Sequence, residues 1–159
     1  MSAVPVVKSQ QTLKANEKKW SKTLMDAGWT ALPSVILDRQ QALGLSAVDL
    51  NILLHIAKHW WEADNLPFPG KKSIAACIGV TPRTVQRRIA AMEAGGLIKR
   101  IVRKSSLGGQ KTNAYDFAGL IEGVTPYAEE AIKAKEEARE EKRARLTRKR
   151  LLPQMKIAK

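Results

Sequence analysis

Apolar residues recur at helical spacing from residue 46 to residue 64, which predicts one long amphipathic helix. Its start is marked by Ser46, because a serine followed three residues later by an acidic residue, here Asp49, is typical of a capping box. Most apolar side chains of this stretch fall on one broad face, and Val48 and Ile52 lie off it. We therefore expect this helix to be the centre of the core, with Val48 and Ile52 facing the amino-terminal segment or a second copy of the chain.

Two shorter helices are predicted after a turn-rich break at residues 65–70. The first covers residues 71–78, barely two turns. The second covers about residues 82–94, because Thr81 is a good N-cap and Pro82 suits the first helical position. The turn of three or four residues between them has the connection length of a helix-turn-helix.

The second of these helices has different chemistry on its two sides. An apolar stripe suited to burial against neighbouring helices is formed by Val85, Ile89 and Met92. The opposite side is polar and basic and includes Arg83, Gln86 and Arg87. A simple solvated face would have the same pattern, so the meaning of the basic side depends on the elements around it.

A β-hairpin is predicted after the basic-sided helix. Gly95 and Gly96 are suited to end the helix, and residues 97–102 are rich in strand-forming side chains. Residues 104–111 contain a glycine turn, and residues 112–117 supply a return strand. The predicted fold is mainly α with a small β-wing. The order helix, short helix, turn, basic-sided helix and hairpin resembles a winged helix-turn-helix, which a charged C-terminal helix follows.

The amino-terminal part of the chain has weaker local signals. Residues 1 to about 12 are expected to form a loose arm, and residues 13–27 a short helix that ends at Gly28. Residues 29–37 are β-rich, and Pro33 within them predicts an extended edge segment rather than a central strand.

A last, highly charged helix is predicted over residues 125–152. Thr125 is its expected cap, with Pro126 at the first helical position. Its basic residues are concentrated at the far end, the favourable direction for the helix dipole. The predicted division of the chain is an arm and short helix over 1–28, a domain over 29–120 that holds the helix-turn-helix and the hairpin, and a charged helix with a basic tail over 125–159.

Positive charge is concentrated around the basic-sided helix. The 159 residues include 28 Lys and Arg against 15 Asp and Glu, a formal net charge of +13, and the pI is about 10.1. Residues 71–124 hold ten basic and three acidic residues, whereas residues 31–70 hold two basic and four acidic ones. This uneven distribution indicates a polyanionic partner.

The cysteine content and the hydropathy limit the compartment in which the protein works. The single cysteine, Cys77, excludes an internal disulfide and fits a reducing compartment. No apolar run approaches the roughly 18 residues of a membrane span, and the first ten residues lack the features of a signal peptide. We therefore expect a cytoplasmic protein without a membrane partner.

Two short motifs resemble parts of enzyme sites but lack required residues. Residues 108–112 read GGQKT, yet a phosphate-binding loop would need a glycine where Lys104 stands and a strand and helix at its flanks. His55 and His59 have the spacing of metal ligands, but Ile56 replaces the glutamate of a metalloprotease motif. We therefore predict no catalytic residue, no metal site and no cofactor.

The aromatic residues do not accompany the basic ones. All four tryptophans, Trp20, Trp29, Trp60 and Trp61, lie outside the basic stretches. We interpret them as core or packing residues, which argues against a single-strand binder that stacks bases on aromatic rings.

Several motifs in this order resemble one group of DNA-binding proteins. They are Trp29-Thr30-Ala31-Leu32-Pro33, the capped helix at Ser46, Pro67-Phe68-Pro69, Gly79 through Arg87, and Gly96-Leu97-Ile98. Over residues 29–117 the chain resembles the winged helix-turn-helix regulators and replication proteins of bacterial mobile elements such as phages, plasmids and integrative elements. Gly70 departs from that group, in which serine or threonine usually caps the second helix.

The resemblance implies that the helix over residues 82–94 enters the major groove of double-stranded DNA. Arg83, Gln86 and Arg87 are then expected at base edges, since arginine can bond to guanine and glutamine to adenine. Further candidates on the two short helices, near phosphates or the groove wall, are Lys71, Lys72, Thr81, Thr84 and Arg88. The wing is expected to contact the DNA backbone or minor groove through Arg103, Lys104, Gln110 and Lys111.

The basic end of the last helix has several interpretations. A solvated helix is the simplest, and a protein-docking surface or a set of DNA contacts are the others. The residues that would make such contacts are Arg145, Arg148, Lys149 and Arg150.

The sequence favours a transcriptional regulator that binds double-stranded DNA as a homodimer and has no catalytic role. One alternative is a plasmid or phage replication-initiation protein that binds origin repeats and recruits a protein partner through its last helix. Another is a nonspecific architectural or adaptor protein. A single protected palindrome would favour the regulator, several direct repeats the initiator, and no preference the architectural protein.

Overall fold

The computed structural model of the protein describes residues 6–106, 108–109 and 111–147, which contain seven helices and one two-stranded sheet. The helices are α1 (Val6–Trp20), α2 (Lys22–Asp26), α3 (Ser34–Asp38), α4 (Ala47–Ala57), α5 (Lys71–Ile78), α6 (Pro82–Ala94) and α7 (Ala118–Thr147). The strands are β1 (Lys99–Ile101) and β2 (Ala114–Asp116). None of the described helices is long and apolar enough to cross a membrane. The architecture is a mainly helical winged helix-turn-helix with a long C-terminal helix, as predicted.

The helix-turn-helix consists of α5 and α6, and both helices have the predicted bounds. Gly79 ends α5 in the left-handed conformation with φ 70°, which a glycine adopts without steric cost. Thr81 caps α6, because its Oγ1 accepts a hydrogen bond of 3.1 Å from the backbone N–H of Thr84. Pro82 occupies the first turn, where its missing N–H is not needed.

The core surrounds α4. The capping box at Ser46 and Asp49 is confirmed, and Ile52, Leu53 and Ile56 are fully buried. The prediction that Val48 and Ile52 lie off the core is wrong: Ile52 is in the centre, and Val48 is partly buried against it. The reason is that α4 contacts α5 and α6 on one side and lines a groove with α3 and α7 on another, so a single broad face does not describe its burial.

The end of α4 and the tryptophans differ from the prediction. The helix stops at Ala57 rather than near residue 64. Trp60 then stacks on Phe117 with ring centroids 5.4 Å apart, whereas Trp61 is 68% exposed and meets Trp29 edge to face. Trp20 is 55% exposed. Among the four tryptophans, Trp60 is therefore the one that packs against the core.

The wing follows α6 through a tight glycine turn. Gly96 has φ 72°, and the N–H of Leu97 donates to the carbonyl of Met92 at 2.9 Å, which closes the helix in a Schellman-type arrangement. The strands β1 and β2 pair antiparallel, with Arg100 opposite Tyr115. They are shorter than predicted, but the hairpin itself is confirmed.

The last helix begins earlier than predicted. Asp116 Oδ1 accepts the N–H of Ala118 at 2.8 Å at the start of α7, so Pro126 lies inside the helix and Thr125 is not its cap. Thr125 instead donates to the carbonyl of Ile121 at 2.7 Å. The helix starts before the proline because Leu120 and Val124, four residues apart on one face, are buried in the core.

The amino-terminal predictions are wrong in two places. A helix, α1, starts at Val6 where a loose arm was expected, and it ends before Ser21, which has φ 78° and caps α2. The segment expected to be extended contains α3, which follows Pro33 and buries Ile36. A proline suits a helix start as well as an edge strand, and burial of Ile36 favours the helix.

Candidate nucleic-acid interface

The outer side of α6 presents the three predicted base readers to solvent. Arg83, Gln86 and Arg87 are exposed, while the opposite stripe of α6 is buried in the core as predicted. Thr81 and Thr84 are joined at the start of the helix by an Oγ1–Oγ1 contact of 2.9 Å. The burial of one side therefore fixes the direction in which the basic side faces.

A basic cleft lies between α5 and α6. It is lined by Lys71, Lys72, Pro82, Arg83, Gln86, Arg87, Ala90 and Arg100. Lys71 Nζ donates a hydrogen bond of 3.1 Å to Gln86 Oε1, so the two helices of the helix-turn-helix are joined at the surface of the cleft. The concentration of like charge in a concave surface attracts anions and raises their local concentration.

The base of the wing is held against the loop that precedes α5. The guanidinium carbon of Arg103 lies 3.8 Å from the ring centroid of Phe68, a cation–π contact. The carbonyl of Pro67 accepts the N–H of Tyr115 at 2.9 Å, which attaches this loop to β2. The carbonyl of Arg103 in turn accepts the N–H of Lys111 at 2.9 Å. Arg103 is thus fixed in place although it lies in a hairpin.

The wing and α5 meet beside the basic cleft. Lys71 and Lys111 line the same hollow, together with Gly70 and Thr112. Gly70 offers no capping side chain to α5, and the first backbone N–H groups of a helix have no partner within the helix. Lys104 is exposed farther along the wing. The structure therefore brings together the start of α5, the outer side of α6 and the base of the wing.

Arg88 lies off the outer side of α6, in an ion pair with Asp49, and its place on the groove wall stays a prediction. Its Nε donates to Asp49 Oδ1 at 2.6 Å, and its Nη2 contacts Asp49 Oδ2 and donates to Ser46 Oγ at 3.2 Å. The physical reason is its angular position, because a residue three positions after the buried Val85 lies only about 60° from it on a helix. Arg88 therefore ties α6 to the start of α4.

The carboxylate of Asp49 is the buried partner of this ion pair. Its side chain is 1% exposed, against 32% for Arg88. Burial acts to raise the pKa of Asp49, but hydrogen bonds from Arg88 and Ser46 outweigh burial and hold it below its ordinary value. The sequence showed the capping role of Asp49, and its pairing with a residue 39 positions away needed the structure.

Arg100 is a basic residue of the cleft that the sequence reasoning missed. Arg100 belongs to the strand-forming run of residues 97–102, and its side chain lines the basic cleft beside α6. Its Nε donates to Glu93 Oε2 at 2.5 Å, and its backbone N–H donates to Glu93 Oε1 at 2.9 Å. The side-chain hydrogen bond from Arg100 is the main cause that lowers the pKa of Glu93. Glu93 thus positions Arg100 and neutralises part of its charge.

Several predicted residues cannot be placed in this surface. Gln110, Arg148, Lys149 and Arg150 lie outside the described residues. Arg145 is exposed near the end of α7. In the described part of the chain, no group of three or more His, Cys, Asp or Glu side chains could hold a metal ion.

Comparison with known proteins supports the fold seen here. Residues 43–98 match the family model of a helix-turn-helix domain. The match spans α4, α5 and α6, the helices that form and support the basic cleft. No curated protein matches the sequence.

Solved structures of similar fold include the N-terminal domain of the DnaD protein from Geobacillus kaustophilus HTA426. It superimposes with a TM-score of 0.52 at 20% identity, over 75% of this chain and 96% of that one. A transcriptional regulator, PA3341, has a TM-score of 0.40 at 19% identity, over 82% of this chain and 74% of that one. The DnaD domain shares the fold with this helix-turn-helix protein.

Proposed function

We propose that the protein is a transcriptional regulator that binds double-stranded DNA sequence-specifically and catalyses no reaction. The observation that carries the proposal is the outward, basic side of α6 in a helix-turn-helix, with Arg83, Gln86 and Arg87 exposed above a basic cleft. An α-helix fits the major groove of B-DNA, where each base pair presents a distinct pattern of donors and acceptors. In this arrangement α6 reads bases and the surrounding cations hold phosphates.

The contact between Lys71 and Gln86 positions the Gln86 amide at the surface of the cleft. The Gln86 Oε1 atom accepts from Lys71 Nζ, and it keeps a second lone pair, while the amide nitrogen keeps its two N–H donors. Gln86 can therefore bond to adenine N6 and N7 while its contact with Lys71 is kept.

Phosphate contacts are proposed for the start of α5 and the wing. Lys71 and Lys111 share a hollow next to the uncapped first turn of α5, and free N–H groups at a helix N-terminus favour anions. Lys72, Lys104 and Arg103 extend this basic surface along α5 and the wing. Contacts of this kind supply affinity for any sequence and fix the register of α6.

A replication-initiation role is the second candidate. It is favoured by α7, a 30-residue helix whose last fifteen residues are largely exposed and highly charged, since such a surface suits recruitment of a protein partner. Selection of bound fragments from random DNA separates the candidates. A single palindrome supports the regulator, several direct repeats the initiator, and the absence of any preferred sequence would contradict both.

Arg87→Ala tests base reading by α6. The substitution should weaken binding to the selected site by about 1–3 kcal/mol and relax the preference at one base position, because a bidentate contact to a base edge is lost. Affinity for random duplexes should change comparatively little. Titration of both proteins on selected and random duplexes measures this, and equal losses on the two would show that Arg87 contacts phosphate instead.

Lys111→Ala is the matched test for the wing. A lysine that contacts phosphate contributes to every sequence alike, so the variant should weaken selected and random duplexes about equally. The slope of log affinity against log salt concentration should also fall by about one unit. Binding measured at several salt concentrations gives the slope, and an unchanged slope would place Lys111 outside the interface.

A further inference from the structure

An apolar groove is formed by α3, α4 and the first half of α7. Its floor includes Leu53, Ala57 and Trp60, and its volume is about 460 Å³. Ile121 and Ile132 stand at its margin, 49% and 57% exposed. It shares no lining residue with the basic cleft, so it is a separate surface. The lining residues of α7 recur every three or four positions, the spacing with which one helix packs on another.

The amino-terminal helix has an apolar side that lacks a matching surface in the described chain. Leu13 and Trp20 are two helical turns apart on one face of α1, and they are 41% and 55% exposed. Leu24 of α2 is a further exposed apolar side chain in this part of the protein, at 58%. Helix α1 packs against α2, and no other described element shares an extensive contact with it. Exposed large apolar side chains on an amphipathic helix mark an interaction surface.

The charges of the two surfaces are complementary. Helix α3 and residues 118–132 of α7 contain four carboxylates, Asp38, Glu122, Glu129 and Glu130, and no lysine or arginine. Helix α1 contains four lysines and one glutamate. Glu129 is the charged residue among those lining the groove. A basic amphipathic helix therefore suits this groove in shape, polarity and charge.

We propose that α1 of a second copy of the chain docks in the apolar groove, and that two copies exchange these helices reciprocally. Leu13 and Trp20 enter the groove of the partner, and the lysines of α1 face the carboxylates of α3 and α7. The same pair of surfaces is used twice, as a two-fold symmetric dimer requires.

In the structure α1 does not occupy the groove of its own chain. Residues 31–33 line the groove, and no residue of α1 does. Only residues 27–30 separate α2 from this wall, and α1 packs against α2 instead. The groove is therefore open to α1 of a second copy.

Complementation between two variants tests the proposal with the full-length chain and without DNA. Leu13→Glu/Trp20→Glu changes α1, and Ala128→Glu/Ile132→Glu changes the groove. Sedimentation velocity should show a dimer for the unchanged protein and a dissociation constant at least about tenfold higher for each variant, because charge enters an apolar contact. Mixing the two variants should restore a heterodimer, since one intact α1 then meets one intact groove.

Leu146→Glu is the control variant for this experiment. It alters a 79% exposed leucine of α7 that does not line the groove, and this variant should dimerise like the unchanged protein. Circular dichroism checks that each variant keeps its helical content. A monomeric unchanged protein would overturn the proposal, whether α1 lies in its own groove or the groove takes a small apolar ligand or another protein. A mixture that stays monomeric, or a dimer that persists in the α1 variant, would overturn it as well.

The proposal is independent of the proposed function. Loss of dimerisation with retained binding to a preferred DNA sequence would leave the assignment of α6 intact. A dimer that shows no DNA preference would support helix exchange and contradict the regulator.

Discussion

Arg88→Ala should lower the free energy of unfolding by about 3 kcal/mol at pH 7, because it leaves the carboxylate of Asp49 buried without its charged partner. Breaking a buried ion pair by removing one partner typically costs about 3–5 kcal/mol. The lower end applies here because the Arg88 side chain is 32% exposed, whereas that of Asp49 is 1% exposed. For the same reason Asp49→Asn should cost less than Arg88→Ala, since the guanidinium can turn toward water and a buried carboxylate cannot.

The cost of Arg88→Ala should depend on pH. In the unchanged protein the pKa of Asp49 is lowered, because hydrogen bonds from Arg88 and Ser46 outweigh the effect of burial. A lowered pKa contributes stability above the unfolded value of about 3.9, and this contribution is lost as the pH falls through the folded value. Without Arg88, burial raises the pKa and protonation relieves the unpaired charge. The difference between the two proteins should therefore be largest near neutral pH and shrink below about pH 5.

Urea denaturation at pH 7, 5 and 4 measures this dependence. Arg87→Ala is the matched control, because it removes the neighbouring arginine from the exposed side of α6 and should change stability by less than about 0.5 kcal/mol. If Arg88→Ala left the urea midpoint unchanged and weakened DNA binding at every sequence, Arg88 would contact DNA rather than hold α6 to α4.

The helix-turn-helix could be predicted from sequence because its boundaries rest on local chemistry. Thr81 caps α6 through its own hydroxyl, Gly79 and Gly96 take left-handed conformations, and Pro82 fits a first turn. Each signal acts within a few residues, and all of them agree. The buried stripe of α6 follows from the same regularity, since a helix of known bounds fixes which residues share a face.

The start of α7 was mispredicted because tertiary packing outweighs the local sequence preference there. Pro126 is typical of a helix start, yet α7 begins seven residues before the predicted start at Thr125. The additional turns bury Leu120 and Val124 in the core. Gly119 shows how close this approach is, because a Cβ atom there would lie 1.8 Å from the carbonyl oxygen of Gly96. No local sequence pattern predicts a contact between residues 96 and 119.

The candidate site could be predicted only in part from the sequence. Exposure of Arg83, Gln86 and Arg87 follows from the helical period, but the partners of side chains across the fold do not. Three such pairs decide the geometry of the surface: Lys71 with Gln86, Arg103 with Phe68, and Arg88 with Asp49. In the third pair, the resemblance places Arg88 at the groove wall, and the sequence does not show that its guanidinium is paired with a buried carboxylate.

Met92→Asp should lower the free energy of unfolding by at least about 4 kcal/mol, a large part of the roughly 5–15 kcal/mol that stabilises a domain. Met92 is 3% exposed on the inner side of α6, so the new carboxylate would be buried without a prepared partner. It would also share a hollow with Asp49, whose charge adds repulsion, and Arg88 there is already engaged by Asp49. The outer side of α6 is held in place by this packing, so DNA binding should disappear at selected and random sequences together.

Met92→Leu is the control for this prediction. It conserves most of the volume and the apolar character of the side chain, so it should cost less than about 1.5 kcal/mol and leave DNA binding intact. Thermal unfolding followed by circular dichroism compares the unchanged protein with Met92→Asp and Met92→Leu. A parallel DNA titration distinguishes a loss of folding from a loss of DNA recognition. Arg87→Ala should keep its melting temperature and lose selectivity, whereas Met92→Asp should lose both. An unchanged melting temperature for Met92→Asp would mean that α6 does not rest on the core through Met92, and the direction assigned to its basic side would then be wrong.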